Sequence, residues 1–190
     1  MKIKIEVSAR HVHLSQEDLE KLFGKGYKLT MFKKLSQESD FAAKETVKII
    51  GPKGAHDEVR IIGPTRPKTQ VEISLTDGRM IGNIPPLRVS GDVVGSAPIK
   101  LIGPNGSVDL LEGMITAMRH IHISEKQAQD LKLKHEQRVS VACFGDRGLL
   151  FNNVIVRVNP KYNFFFQLDT DEANSAGVEN GDEGELIINK

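Results

Sequence analysis

Residues 10–15 read Arg-His-Val-His-Leu-Ser, and residues 119–124 read Arg-His-Ile-His-Ile-Ser. These two stretches contain four of the six histidines of the chain. The pattern predicts a strand in each stretch, and side chains two residues apart in a strand lie on one face. If the two strands converge, four imidazole nitrogens would suit Zn²⁺ or a similar transition metal. The alternative is a duplicated strand whose histidines hydrogen-bond neighbouring carbonyl groups.

The surroundings of the two stretches repeat as well. Residues 2–8 alternate like a strand before the first stretch, and a serine followed by acidic residues, at Ser15 and at Ser124, predicts a capped helix after each. Further strand patterns end at Gly-Pro turns, as at residues 51–54 and 103–106. Short strands with few helices predict a mainly β fold. We therefore interpret the chain as internally duplicated, with functional residues where the two halves face each other.

The composition is that of a globular protein with no dominant charge. Hydrophobic residues make up 39% of the 190 residues, and 26 basic against 25 acidic residues give a formal net charge of +1. This balance gives no electrostatic reason to expect nucleic acid as a partner. The single cysteine, Cys143, excludes an intramolecular disulfide, and neither a signal peptide nor an apolar run of transmembrane length is visible. We expect a soluble, cytoplasmic protein with no membrane partner.

Two further side chains are candidates for chemistry. Arg66 follows a Gly-Pro pair on a predicted loop, where a guanidinium can bind phosphate through two hydrogen bonds. Glu72 lies on the next predicted strand, and a carboxylate on the face of a histidine cluster would be a further ligand or a base. A surface arginine and an edge glutamate are the alternative. His56 and His135 have no partner in the sequence, and we expect both to be exposed.

Six motifs follow one another along the chain, at residues 8–15, 63–66, 70–72, 90–92, 119–122 and 169–174. In this order they resemble the phosphate propanoyltransferases, the phosphotransacylases of propanediol utilisation and bacterial microcompartments. The resemblance spans nearly the whole chain. It implies the reaction of acyl-CoA, as propanoyl-CoA or acetyl-CoA, with inorganic phosphate to give acyl phosphate and coenzyme A.

The resemblance also implies the domain organisation. It predicts two small β-barrel domains capped by short helices, one formed by residues 1–9 with 118–190 and the other by residues 10–117. A site with two zinc ions would lie at their interface. Whether identical chains assemble into a homo-oligomer stays an open question.

The same resemblance assigns individual residues. Arg66 would bind phosphate and act as the catalytic residue. One metal would be held by His11 and His13, and the second by Glu72, His120 and His122. The coenzyme A contacts would be Ser8, Arg10, Lys33, Arg60 and Asn174.

Two departures from the family pattern matter. The family usually has histidine, a further metal ligand, where this chain has Gln167. A glutamine carbonyl is a weaker zinc ligand than imidazole, so we expect a weakened second metal site. The chain also begins directly on its first predicted strand, without the extension that targets relatives into microcompartments, which favours the cytoplasm and leaves the microcompartment lumen open.

Three hypotheses follow from these observations. The first is a zinc-dependent phosphotransacylase. The second is a degenerate family member that binds coenzyme A or metal without turnover because of Gln167. The third is an unrelated metal-dependent hydrolase built on the same four histidines.

Overall fold

The computed structural model describes residues 1–37 and 39–188 and divides the chain into two compact units. The first unit comprises Met1–Ala9 and Met118–Lys190, and the second comprises Arg10–Ala117. In chain order the elements are β1 (Lys2–Ser8), β2 (His11–His13), α1 (Gln16–Phe23), β3 (Met31–Lys34), β4 (Phe41–Ile50), β5 (Ala55–Gly63), β6 (Gln70–Glu72), α2 (Leu75–Ile81), β7 (Leu87–Arg88), β8 (Ala97–Ile102), β9 (Ser107–Ala117), β10 (His120–Ile123), α3 (Glu125–Asp130), β11 (Arg138–Cys143), β12 (Leu149–Val158), β13 (Phe165–Asp169), α4 (Thr170–Ala176) and β14 (Glu183–Ile187).

The first unit is a closed barrel with the strand order β1-β13-β10-β12-β11-β14. The N-terminal strand β1 closes it, parallel to β13 on one side and antiparallel to β14 on the other. Alternate residues of the strands fill the interior, because a strand turns every second side chain to one face. Four of these core residues, each at most 2% exposed, are Ile3, Ile5, Ile121 and Phe166.

The second unit closes in the same way. Its ring runs β2-β5-β4-β8-β9-β6 and returns to β2, while β3 pairs outside with β4 and β7 with β9. Its interior holds aliphatic side chains, among them Val12, Leu14, Ile61 and Leu101. The predicted mainly β fold of two small barrels with short helices is therefore confirmed.

The two barrels share one topology. Matching β10, β11, β12, β13 and β14 with β2, β4, β5, β6 and β8 gives the same order around the ring and the same parallel or antiparallel sense at every junction. The sixth place is taken by β9 in the second unit and by β1 in the first. Each of these strands runs directly into a His-x-His strand, so the duplication extends to the chain connection as well.

The two capped helices begin where the sequence predicts. The hydroxyl of Ser15 accepts a hydrogen bond from the N–H of Asp18 at 3.1 Å, and Ser124 accepts one from the N–H of Gln127 at 3.3 Å. Each serine satisfies an N–H group that the helix itself leaves without a partner. Among the described residues, no helix is long and apolar enough to span a membrane.

Replacing Ser124 with alanine tests the cap of α3. We expect the free energy of unfolding to fall by about 1 kcal/mol, because the N–H of Gln127 loses its acceptor. Urea unfolding followed by circular dichroism measures the change. The matched control is Ser124→Asp, which can still accept this hydrogen bond and should stay within about 0.5 kcal/mol of the unmodified protein. An alanine variant of unchanged stability would contradict the capping role.

Candidate functional site

The first histidine pair lies beside a glutamate on the outer wall of the second barrel. Val12 and Leu14 fill the interior, so His11 and His13 of β2 point to the opposite face. The antiparallel pairing of β2 with β6 places Glu72 directly opposite His11. One potential ligand atom from each of His11, His13 and Glu72 lies within 4.8 Å of the others. The carboxylate thus joins two imidazoles at a single point.

The spacing of these atoms suits a metal ion. Glu72 Oε1 lies 3.6 Å from His11 Nε2 and 3.9 Å from His13 Nε2. In tetrahedral zinc sites, with bonds of about 2.0–2.1 Å, neighbouring ligand atoms lie about 3.3 Å apart. The two distances from Glu72, 3.6 and 3.9 Å, exceed that separation by only about 0.3 and 0.6 Å. Two imidazoles and one carboxylate also form a common protein ligand set for zinc.

His13 is fixed in the form that a metal requires. Its Nδ1 lies 3.2 Å from the carbonyl oxygen of Ile62, which can only accept, so Nδ1 carries the proton and Nε2 keeps its lone pair toward Glu72. Burial, followed by repulsion from His11 and Arg66, lowers the pKa of His13 to about 2. The imidazole is therefore neutral at neutral pH, as metal ligation demands.

Glu72 is held as a carboxylate despite being only 8% exposed. Burial alone raises its pKa, but attraction to His11 and the hydrogen bond with His11 outweigh this and hold the pKa well below its usual range. Its Oε1 also accepts hydrogen bonds from Gln70 Nε2 at 2.5 Å and from Ser90 Oγ at 2.7 Å. Sequence analysis did not assign roles to Gln70 and Ser90, although both lie in motifs that carry the family resemblance.

Arg66 lies on a loop of the same unit, as predicted. Its backbone N–H donates to the carbonyl of Leu14, the residue after β2, at 2.9 Å. Its guanidinium lies 3.6 Å from Asp40 Oδ2, with the arginine side chain 33% exposed. Because its charge contributes to the low pKa of His13, Arg66 is electrostatically coupled to the cluster of His11, His13 and Glu72.

The second histidine pair lies on the outer wall of the first barrel. His120 and His122 are each 7% exposed, and their ring centroids are 4.6 Å apart. His120 Nδ1 lies 2.8 Å from the carbonyl oxygen of Met118, which leaves Nε2 as the nitrogen with the lone pair. Tyr162, which sequence analysis missed, packs on His122 with ring centroids 4.2 Å apart. Gln167 lies opposite His120 in the register of β10 and β13.

The structure therefore assembles two clusters, one in each unit. Glu72 joins His11 and His13 within the second unit, a grouping that the sequence did not predict. Glu72 was also predicted to bind the metal of His120 and His122. These two histidines belong to the first unit, and that role of Glu72 stays a prediction. Gln167 takes the equivalent position in the first unit, next to His120.

The predicted coenzyme A contacts divide between the units. Arg60, opposite His11 in the register of β2 and β5, donates to the carbonyls of Ala43 and Lys44 and lies 5.5 Å from the ring of Phe32. Lys33 is exposed on β3 of the same unit. The other three lie on β1, before β2 and on α4, and their role stays a prediction as well; they are Ser8, Arg10 and Asn174.

The expected exposure of His56 is wrong. This histidine is 8% exposed, and its Nε2 lies 3.2 Å from the carbonyl oxygen of Asp77 and 3.7 Å from Asp77 Oδ1. Asp77 belongs to the first turn of α2, which packs against β5 and covers the histidine. Arg10 contacts the same carboxylate at 3.3 Å. The exposure of His135 is confirmed.

Comparisons with known proteins identify the same family that the sequence motifs resemble. The model of the phosphate propanoyltransferase family matches residues 4–179. The chain is 51% identical to the phosphate propanoyltransferase of Thermotoga maritima over 181 residues, which is 95% of this chain and 86% of that protein. It is 44% identical to the one from Listeria monocytogenes over 97% of this chain and 87% of that protein. It is 47% identical to the one from Salmonella typhimurium over 94% of this chain and 85% of that protein.

Proposed function

Because the chain belongs to the phosphate propanoyltransferase family, a family of acyltransferases, we propose that it is a zinc-dependent phosphotransacylase. Its substrates would be inorganic phosphate and a short acyl-CoA, propanoyl-CoA or acetyl-CoA. The observation that carries the proposal is the convergence of His11, His13 and Glu72 on one point, with His13 neutral and Glu72 ionised. We propose the cytoplasm as its location, with the microcompartment lumen as the alternative.

The proposed reaction needs no protein nucleophile. An oxygen of phosphate attacks the thioester carbonyl carbon, the carbon–sulfur bond breaks, and coenzyme A leaves as a thiolate. When bound, zinc supplies a Lewis acid for the carbonyl and an affinity for the departing thiolate. Cys143 is 3% exposed and burial raises the pKa of its thiol, which argues against an acyl-cysteine route.

The site residues of the second unit each have a definable task in this scheme. His13 offers Nε2 as a ligand because its other nitrogen is committed to Ile62. Gln70 and Ser90 orient the carboxylate of Glu72 and offset part of its charge. The guanidinium of Arg66 would bind phosphate, which would either replace Asp40 as its partner or share the guanidinium with Asp40. Its positive charge would neutralise charge as the phosphate oxygen approaches the carbonyl.

Gln167 supports a second candidate function. An amide opposite His120 is a weaker zinc ligand than imidazole. The chain would then bind coenzyme A or metal without turnover. The Gln167→His variant separates the two candidates, since it would activate a degenerate member but would change an active enzyme much less.

Release of coenzyme A tests the proposed function directly. Purified protein is incubated with propanoyl-CoA or acetyl-CoA, with and without inorganic phosphate, while its zinc content is measured. We expect release that depends on phosphate and on zinc, with formation of acyl phosphate. Release that ignores phosphate would instead indicate a thioester hydrolase. Bound zinc without any release would favour the degenerate binding protein.

A further inference from the structure

Three side chains form a row across the outer wall of the first barrel. In the register of β1 with β13, Glu6 lies beside Gln167, and in the register of β13 with β10, Gln167 lies opposite His120. The residues before Glu6 and Gln167, Ile5 and Phe166, are buried in the barrel core. The row therefore points outward, as the two histidines of β10 do.

The second barrel has a corresponding row with a different composition. There the residue opposite His11 is Glu72, so Gln167 occupies the position of a carboxylate that converges with two histidines. The residue beside Glu72 on β9 is Ile115, in the place that Glu6 holds in the first barrel. Since an apolar side chain serves at this position in one barrel, the fold itself does not require an acid in the other.

The contact between Glu6 and Gln167 fixes the direction of the amide. Gln167 Nε2 donates a hydrogen bond to Glu6 Oε2. A carboxylate can only accept, so the NH₂ group must face Glu6 on β1, which leaves the carbonyl oxygen Oε1 as the amide atom not bonded to Glu6. The negative charge next to the NH₂ group also polarises the amide and increases the negative charge on Oε1.

This arrangement mirrors the support of Glu72 with the polarity reversed. In the second barrel a carboxylate is held by two donors, Gln70 and Ser90. In the first barrel an amide is held by an acceptor, Glu6. In both cases a hydrogen-bonding partner fixes the orientation of an oxygen-bearing side chain that lies opposite a histidine, which is the usual task of residues that stand behind metal ligands.

We propose that Glu6 is a positioning residue for metal binding, which holds Gln167 so that its carbonyl oxygen binds the zinc of His120 and His122. This inference rests on the proposed function. Direct ligation by Glu6 fits less well, because neighbouring strands lie about 4.8 Å apart and β1 is two strands away from β10. The Glu6–Gln167 pair thus compensates in part for the absence of a histidine at position 167.

Zinc affinity tests the proposal in a protein that retains only the site of the first unit. The His13→Ala background removes a ligand from the other cluster, and competition with a chromophoric chelator then measures zinc binding. We expect Glu6→Ala and Gln167→Ala each to weaken zinc binding about 10- to 100-fold, the range for groups that support metal ligands. The double variant should be no weaker than Gln167→Ala alone, because Glu6 acts through Gln167.

Two further variants separate this role from a structural one. Glu6→Gln keeps the size and one acceptor oxygen but removes the charge, so its affinity should fall between that of the background and that of Glu6→Ala. Glu185→Gln removes an exposed carboxylate from β14 of the same barrel and should change zinc affinity less than about twofold. Thermal unfolding of each variant shows whether the barrel is intact.

Three results would overturn the proposal. They are a Glu6→Ala affinity within twofold of the background, a loss from Glu6→Ala that is undiminished beside Gln167→Ala, and absence of zinc from the background protein. The proposed function is tested by a different measurement, the release of coenzyme A. Phosphate-dependent release of coenzyme A with an unaltered Glu6→Ala affinity would remove only this inference, and a lowered affinity without any such release would remove only the phosphotransacylase activity.

Discussion

Replacing His13 with alanine is expected to weaken zinc binding by the second unit more than about 100-fold, because even a group that only supports a metal ligand is worth about 10- to 100-fold in affinity. His13 is 3% exposed, and its hydrogen bond to Ile62 leaves Nε2 directed at Glu72. Without it, Glu72 and His11 offer only two ligands. Phosphate-dependent release of coenzyme A should fall with the zinc, and both are measured on the same preparation.

The matched control is His56→Ala. It removes a buried imidazole from the same unit, but His56 contacts Asp77 and not the cluster of His11, His13 and Glu72. We expect it to change stability and to leave zinc content unchanged. If His13→Ala retained as much zinc as His56→Ala, the His-x-His stretch would be a strand whose histidines merely hydrogen-bond carbonyl groups.

Local sequence patterns were sufficient for the strands and faces of the site. A period of two residues placed both histidines of each stretch on one face, and the apolar residues between them, such as Val12 and Ile121, filled the barrel cores. The serine caps at Ser15 and Ser124 are equally local, since a hydroxyl bonds an N–H three residues later. These features depend on neighbours in the chain and can be recognised without a fold.

Partners across strands could not be predicted from such patterns. Glu72 meets His11 only because β6 pairs with β2 in one register, and a shift by one residue would turn the carboxylate to the other face. Barrel closure fixes that register through strands distant in sequence. The same holds for the contact of Glu6 with Gln167, and for His56, whose burial depends on α2 folding over β5.

The arginine before each His-x-His stretch shows how duplication helps to separate structure from function. Arg10 contacts Asp77 at 3.3 Å, and Arg119 contacts Glu172 at 2.5 Å. Both acids are the third residue after the N-cap of the helix that follows the equivalent strand, β6 or β13. A contact that recurs in both barrels ties a strand to a helix, so the predicted contact of Arg10 with coenzyme A would have to coexist with this ion pair.

Replacing Arg66 with alanine is expected to lower kcat/KM for phosphate on the order of 100-fold, the usual loss when one preorganised donor to a reacting oxygen is removed. The loop should keep its path, because its contact with Leu14 uses the backbone N–H of Arg66 and not the side chain. Arg66→Lys keeps the charge without the planar pair of donors and should recover only part of the loss. Initial rates at varied phosphate concentration measure both variants.

Arg88→Ala serves as the control, since Arg88 is another partly exposed arginine of the second unit, paired with Asp92 at 3.7 Å. Its rates should match those of the unmodified protein. Zinc content must stay constant in all three variants, because Arg66 is proposed to bind phosphate and no metal.

A loss of rate in Arg66→Ala that high phosphate restores would mean that the guanidinium acts mainly in binding. A loss that persists at saturating phosphate would mean that it also stabilises the transition state. An unchanged rate would assign the loop arginine to its ion pair with Asp40 alone.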